Sequence, residues 1–124
     1  MFRPMHSYRR LDAWKQAHAA LRLTLSATDR AYHPRSRALF DQLKRATISV
    51  EANIVEGYAL GSPALCRRHL RIALGSAAEA ECLALAAGEA TYLDLSVVKA
   101  LEKNLGDAMR ALRLLLQTPP NSGG

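Results

Sequence analysis

The chain has 124 residues, 49% of them apolar, and a formal net charge of +6 at pH 7. That length supports one hydrophobic core and not two. No 18-residue apolar run is present, no apolar stretch follows the N-terminal MFRPMHSYRR, and there are only two cysteines, so a membrane span, a signal peptide and a disulfide scaffold are disfavoured and a soluble cytoplasmic protein is expected.

The first helix is predicted from about Arg10 to Ala31. Leu11, Trp14, His18, Leu21, Leu25 and Thr28 recur there at alternating spacings of three and four, which makes one inward face. On that reading Trp14 and His18 are core residues, the histidine satisfied by a neighbour. His33-Pro34 ends the helix, because proline restricts the residue before it and cannot continue the hydrogen-bond ladder. A second helix follows from about Ser36 to Ala59 with Leu39, Leu43, Ala46, Val50, Ile54 and Gly57 inward.

Leu60-Gly61-Ser62-Pro63 is the clearest break, with Ser62 suited to an N-cap and Pro63 to the first helical position. The third helix then carries Leu65, Ile72, Ala73, Ala80, Leu83 and Ala87 on one face, and its two cysteines, Cys66 and Cys82, stand about 24 Å apart, too far to bridge. Asp94 or Ser96 caps a fourth helix with Val97, Val98, Leu101, Leu105, Met109, Leu112 and Leu116 inward. Residues 1–118 thus form one domain, and Pro119-Pro120 opens a tail, 119–124, expected to be disordered. No segment alternates at period two, so the fold expected is all-α: an antiparallel up-down-up-down four-helix bundle.

A helical bundle invites a di-iron centre, but that needs Glu-x-x-His pairs, and the chain has none. It also lacks C-x-x-C, a P-loop, GxGxxG and a nucleophile elbow. No catalytic residue, metal ligand or cofactor is therefore assigned. The polar residues that do stand out are Gln42, Ser49 and Glu56, seven residues apart on one stripe, with Asn53 at its edge and Ser76 and Glu79 on the next helix. Glu56 and Glu79 could be read as an acid and base pair. The stronger reading is a structural network in which these groups satisfy one another and fix helix register.

Charge is unevenly spread: residues 1–45 hold ten Lys and Arg against three Asp and Glu, whereas 79–94 hold four acidic residues and no basic one. Arg9, Arg10, Lys15 and Arg22 of the first helix and Arg67, Arg68 and Arg71 of the third are the candidates for phosphate contact. Aromatic residues are few and fall at core or junction positions, so base stacking is not indicated. A different feature points to self-association. Ile48, Ala52, Val55 and Ala59 recur at offsets of 0, 4, 7 and 11, and Leu74, Ala78, Glu81 and Leu85 repeat those offsets, both stripes reading as opposite the inward rows.

NIVEGY at Asn53–Tyr58 and ALGSAAEAE at Ala73–Glu81 resemble the "SIPxNIAEG" and "ARGSLxE" signatures of the 23S rRNA intervening-sequence proteins. LDAWKQA at Leu11–Ala17 is similar to that family's opening LxxWxxA, and Thr91-Tyr92-Leu93 to the close of its third helix. The resemblance implies a four-helix bundle assembled as a ring-shaped homopentamer, with no established reaction. It departs at Glu51, where Pro is usual, at Val55 for Ala, at Leu60 where Arg is common and at Leu74 for Arg. Two basic positions are thereby apolar. The accessory variability determinant proteins of diversity-generating retroelements are similar to this family and use a basic pentameric bundle to hold RNA and a reverse transcriptase. The expectation is thus a non-enzymatic homo-oligomer with an RNA-binding or nucleoprotein accessory role, the alternative being a protein–protein scaffold without nucleic acid.

Overall fold

The computed structural model describes residues 7–31 and 33–117; the tail expected at 119–124 lies outside the described residues. Four helices follow in order: α1 (Asp12–Arg30), α2 (Arg37–Ala59), α3 (Pro63–Glu89) and α4 (Leu95–Gln117), with 3₁₀ turns at Ser7–Arg10 and Pro34–Ser36. α1 and α3 each pack between α2 and α4. The result is an all-α, antiparallel four-helix bundle with α1 and α3 on opposite corners, and the described residues contain no strand.

The connections are hydrogen-bonded locally, which is why they can be short. Between α1 and α2, Nδ1 of His33 accepts from the Arg35 N–H at 3.1 Å, and the buried Ser36 hydroxyl donates to the His33 carbonyl at 2.8 Å. Gly61, at φ +75°, makes the turn into α3, where the Ser62 hydroxyl accepts from the Leu65 N–H at 3.4 Å and Pro63 occupies the first helical position. After α3 the chain reverses through Thr91 at φ 62°, a left-handed conformation that costs a β-branched residue about 1–3 kcal/mol. The Tyr92 and Leu93 N–H groups close this end on the Ala87 carbonyl at 2.8 and 3.3 Å. Asp94 stands just before α4, and its carbonyl accepts from Val97 and Val98.

The core divides by side-chain size. α2 contributes Phe40, Leu43, Val50 and Ile54, and α4 contributes Val98, Leu101, Leu105, Met109 and Leu112. Apart from Leu70, Thr24 and Thr28, the buried residues of α1 and α3 are all alanines: Ala13, Ala17, Ala20 and Ala27, then Ala73, Ala77, Ala80, Ala84 and Ala87. Every neighbouring pair therefore sets a helix of small side chains against one of large side chains, so the layers interdigitate at close range.

This overturns part of the predicted core. The large apolar row of α1 is rotated off it: Leu11, Trp14, His18 and Leu21 are half-buried and Leu25 is 42% exposed, while the alanine row takes the inside. In α3, Leu65 and Ile72 are 41% and 44% exposed. Leu83, Leu39, Val97 and Leu116 are half-buried. Side-chain size misled the reading, because a close-packed seam selects alanine and displaces leucine to the flanks.

One buried group is left over. Thr24 is fully buried and its hydroxyl has no hydrogen-bond partner among the described residues, although Thr28 donates to the Thr24 carbonyl at 2.7 Å. An unsatisfied buried hydroxyl costs about 1–3 kcal/mol. Thr24→Val keeps the shape and removes that cost, so it should raise stability by about 1 kcal/mol, read from the midpoint of a urea transition.

Candidate functional site

The polar residues of α2 and α3 meet along one seam. Gln42 Nε2 donates to Glu79 Oε2 at 2.7 Å, the Ser49 and Ser76 hydroxyls lie 2.8 Å apart, and Asn53 Nδ2 donates to the Ser49 carbonyl at 2.8 Å and its hydroxyl at 3.1 Å. His69, absent from the predicted set, completes the run. Its Nδ1 is 2.9 Å from Asn53 Oδ1 and 3.6 Å from Glu56 Oε2. These pairs register α2 antiparallel to α3. At the end of the seam the helices approach closely, since a Cβ on Gly57 would lie 3.2 Å from His69 Cβ and 3.3 Å from the Cys66 carbonyl.

The seam runs along the outer edge of the contact and not through the core. Asn53, Ser49 and Ser76 are half-buried, the Gln42–Glu79 pair is exposed, and the Glu56 side chain is 59% exposed. Glu56 and Glu79 are held by different partners several turns apart in sequence, so the acid and base pairing considered for them has no shared site. Among the described residues, no group of three or more His, Cys, Asp and Glu side chains could hold a metal ion. Cys66 is half-buried and Cys82 exposed on α3.

On the other flank of α2, Glu51 meets His18 of α1, with Nδ1 to Oε1 at 2.7 Å. The imidazole stacks on Trp14, centroids 4.8 Å apart and planes 13° apart, and Tyr8 stands edge-on to Trp14 at 5.7 Å. Trp14 packs against the edge of the core, half-buried, while the His18 side chain is 42% exposed and is satisfied by Glu51. The only signal in the sequence is the i, i+4 spacing of Trp14 and His18, which serves core packing and surface stacking equally well.

The predicted basic residues share an end of the bundle but not a face. Arg9, Arg10 and Lys15 lie at or before the start of α1, and Arg67, Arg68 and Arg71 at the start of α3, which antiparallel packing brings to the same end. All are exposed except Arg67, which is half-buried. Arg22 is exposed further along α1. α1 and α3 occupy opposite corners, and α4, which packs against both, carries in its last turns the exposed Arg110 and Arg113, which were absent from the predicted set. Arg110 bonds Asp107, to which Lys103 donates at 3.2 Å; the Lys103 hydrogen bond, with its charge and Arg110, holds that carboxyl below the usual range.

The two apolar stripes also separate. Ile48 and Ala59 are exposed on the outer side of α2, Ile48 being 48% exposed, and Ala52 and Val55 on the same stripe are half-buried. The seam register puts Ile72 of α3 level with Ala52 and Leu65 level with Ala59, which extends this patch across two helices. The α3 stripe is not opposite the core as predicted. Leu74 packs against the core, and Ala78, Glu81 and Leu85 line an open groove with Cys82 and with Glu102 of α4. None of the described helices is long and apolar enough to cross a membrane.

Compared with known families, residues 9–113 match the family described as 23S rRNA-intervening sequence protein. No curated protein matches the chain.

Proposed function

The chain belongs to the 23S rRNA-intervening sequence protein family, and from that premise we propose that it is a non-enzymatic, self-assembling bundle whose basic end holds RNA. The observation that carries the RNA reading is the gathering of Arg9, Arg10, Lys15, Arg67, Arg68, Arg71, Arg110 and Arg113 from three helices and the turn before α1 at one end of the molecule. Such a cap faces phosphates without reading bases, so binding is backbone-led and only weakly selective in sequence.

Assembly follows from the two apolar surfaces. The patch of Ile48, Ala52, Ala59, Leu65 and Ile72 has Arg45 on the same outer row, while the groove at Ala78 and Leu85 is rimmed by Glu81 and Glu102. Two different surfaces of complementary charge suit a head-to-tail contact, in which the patch of one copy seats in the groove of the next and the series closes into a ring. The family resemblance supports five copies for that ring. It repeats the basic end around one rim, where weak phosphate contacts gain avidity.

The test is a salt series with a labelled RNA. Log affinity should fall linearly with log salt, and Arg71→Ala with Arg113→Ala should flatten the slope by about two units and weaken unrelated RNAs alike, without altering assembly. If no RNA is retained at about 50 mM salt, the RNA reading fails and a protein-directed scaffold, favoured by the exposed apolar patch, replaces it.

A further inference from the structure

An aromatic cluster joins the turn before α1 to the first turns of α1, one side of Trp14 packing against the core. Trp14 and His18 are nearly parallel in contact, Tyr8 and Trp14 meet in a T-shaped arrangement, and the Arg9 guanidinium lies 5.8 Å from the Tyr8 ring centroid. All three rings are half-buried, with 42% of the His18 side chain exposed. Glu51, only 16% exposed, fixes the imidazole from beneath through Nδ1, so the ring keeps one orientation. Arg9, Arg10 and Lys15, next in sequence to Tyr8 and Trp14, are exposed, and Arg9 lies over the Tyr8 ring. Oriented π surfaces interleaved with cations are what a single strand of nucleic acid engages: bases stack on the rings while phosphates meet the charges. A duplex, whose bases are already stacked on one another, offers the rings nothing.

We propose that Tyr8, Trp14 and His18 form a stacking platform for an unpaired base of RNA, with Arg9, Arg10 and Lys15 holding the flanking phosphates. This rests on the RNA reading of the basic end and adds a preference for single strands over duplexes. The Glu51 carboxylate touches the platform through one oxygen, Oε1, which is engaged by His18 Nδ1.

Trp14 is the single tryptophan of the chain, so tryptophan emission, excited apart from the four tyrosines, reports on this site alone. The experiment titrates the full-length protein with a labelled single-stranded RNA and with a duplex of the same length at low salt, following Trp14 emission and label anisotropy together. The single strand should change Trp14 emission with the same midpoint as the anisotropy, and the duplex should leave emission unchanged. His18→Ala should weaken the single strand by roughly 5- to 100-fold, the worth of one stacked base, and leave the duplex unaffected. His18→Phe loses the Glu51 hydrogen bond just as alanine does but keeps a ring, and should retain most of the affinity. If RNA binds by anisotropy while Trp14 emission and the His18→Ala affinity do not change, the platform is overturned and the basic-end reading stands. Emission that follows protein concentration and not RNA means a second copy covers the rings, which also overturns it. Absence of RNA binding by either signal overturns both.

Discussion

Ile48→Lys or Leu85→Lys, each alone, is expected to convert the assembly into monomers of 13.6 kDa with helical content intact. Burying an unpaired ammonium in a contact costs several kcal/mol, whereas the monomer tolerates it because these positions are 48% and 47% exposed. Leu74 and Val55 are poorer choices, since both are half-buried and Leu74 packs against the core. A head-to-tail interface adds a sharper expectation. One variant keeps an intact groove and the other an intact patch, so mixing the two should yield heterodimers and nothing larger. Light scattering at micromolar concentration reads both results. A monodisperse wild-type monomer, or variants that keep the wild-type mass, would sink the proposed assembly.

Asn53→Ala should lower stability by about 1–3 kcal/mol, because it strips a partner from His69 and from Ser49 in a half-buried seam. Glu79→Ala should change little, its bond to Gln42 being exposed and its carboxylate open to water. The two melting curves should therefore separate by several degrees. Equal stability in both variants would mean that Asn53 and His69 do not hold the seam, and a ligand at their edge would become the better account.

The bundle was legible because its punctuation is chemical. His33-Pro34, Gly61-Ser62-Pro63 and Asp94 act locally, and a residue's capping or turn chemistry does not depend on what packs against it. The faces of α2 and α4 were legible for a related reason: their large apolar residues are the ones that fill the interior. α1 was not, and α3 only at Ala73, Ala80 and Ala87, since an alanine is as compatible with the surface as with a tight seam, and only the neighbouring helix decides. The polar seam was read from spacing, down to most of its members. His69 and Glu51 escaped because neither falls on the seven-residue stripe of α2, and helical periodicity does not show which flank of α2 faces which neighbour. Arg110 and Arg113 were missed because one end of a bundle is assembled by antiparallel packing and corresponds to no contiguous stretch of sequence.

The alanine faces of α1 and α3 also shape how the molecule responds to temperature. Alanine loses no rotamer freedom when buried and exposes little hydrocarbon when the chain opens. Heat capacity rises by about 0.45 cal/mol/K for each Å² of apolar surface newly hydrated. A bundle in which two of four inward faces are mostly methyl groups therefore unfolds with a heat-capacity increment below the usual 12–15 cal/mol/K per residue or so. Its stability curve is correspondingly broad and shallow, so the balance between folded and open forms changes slowly on cooling as well as on warming.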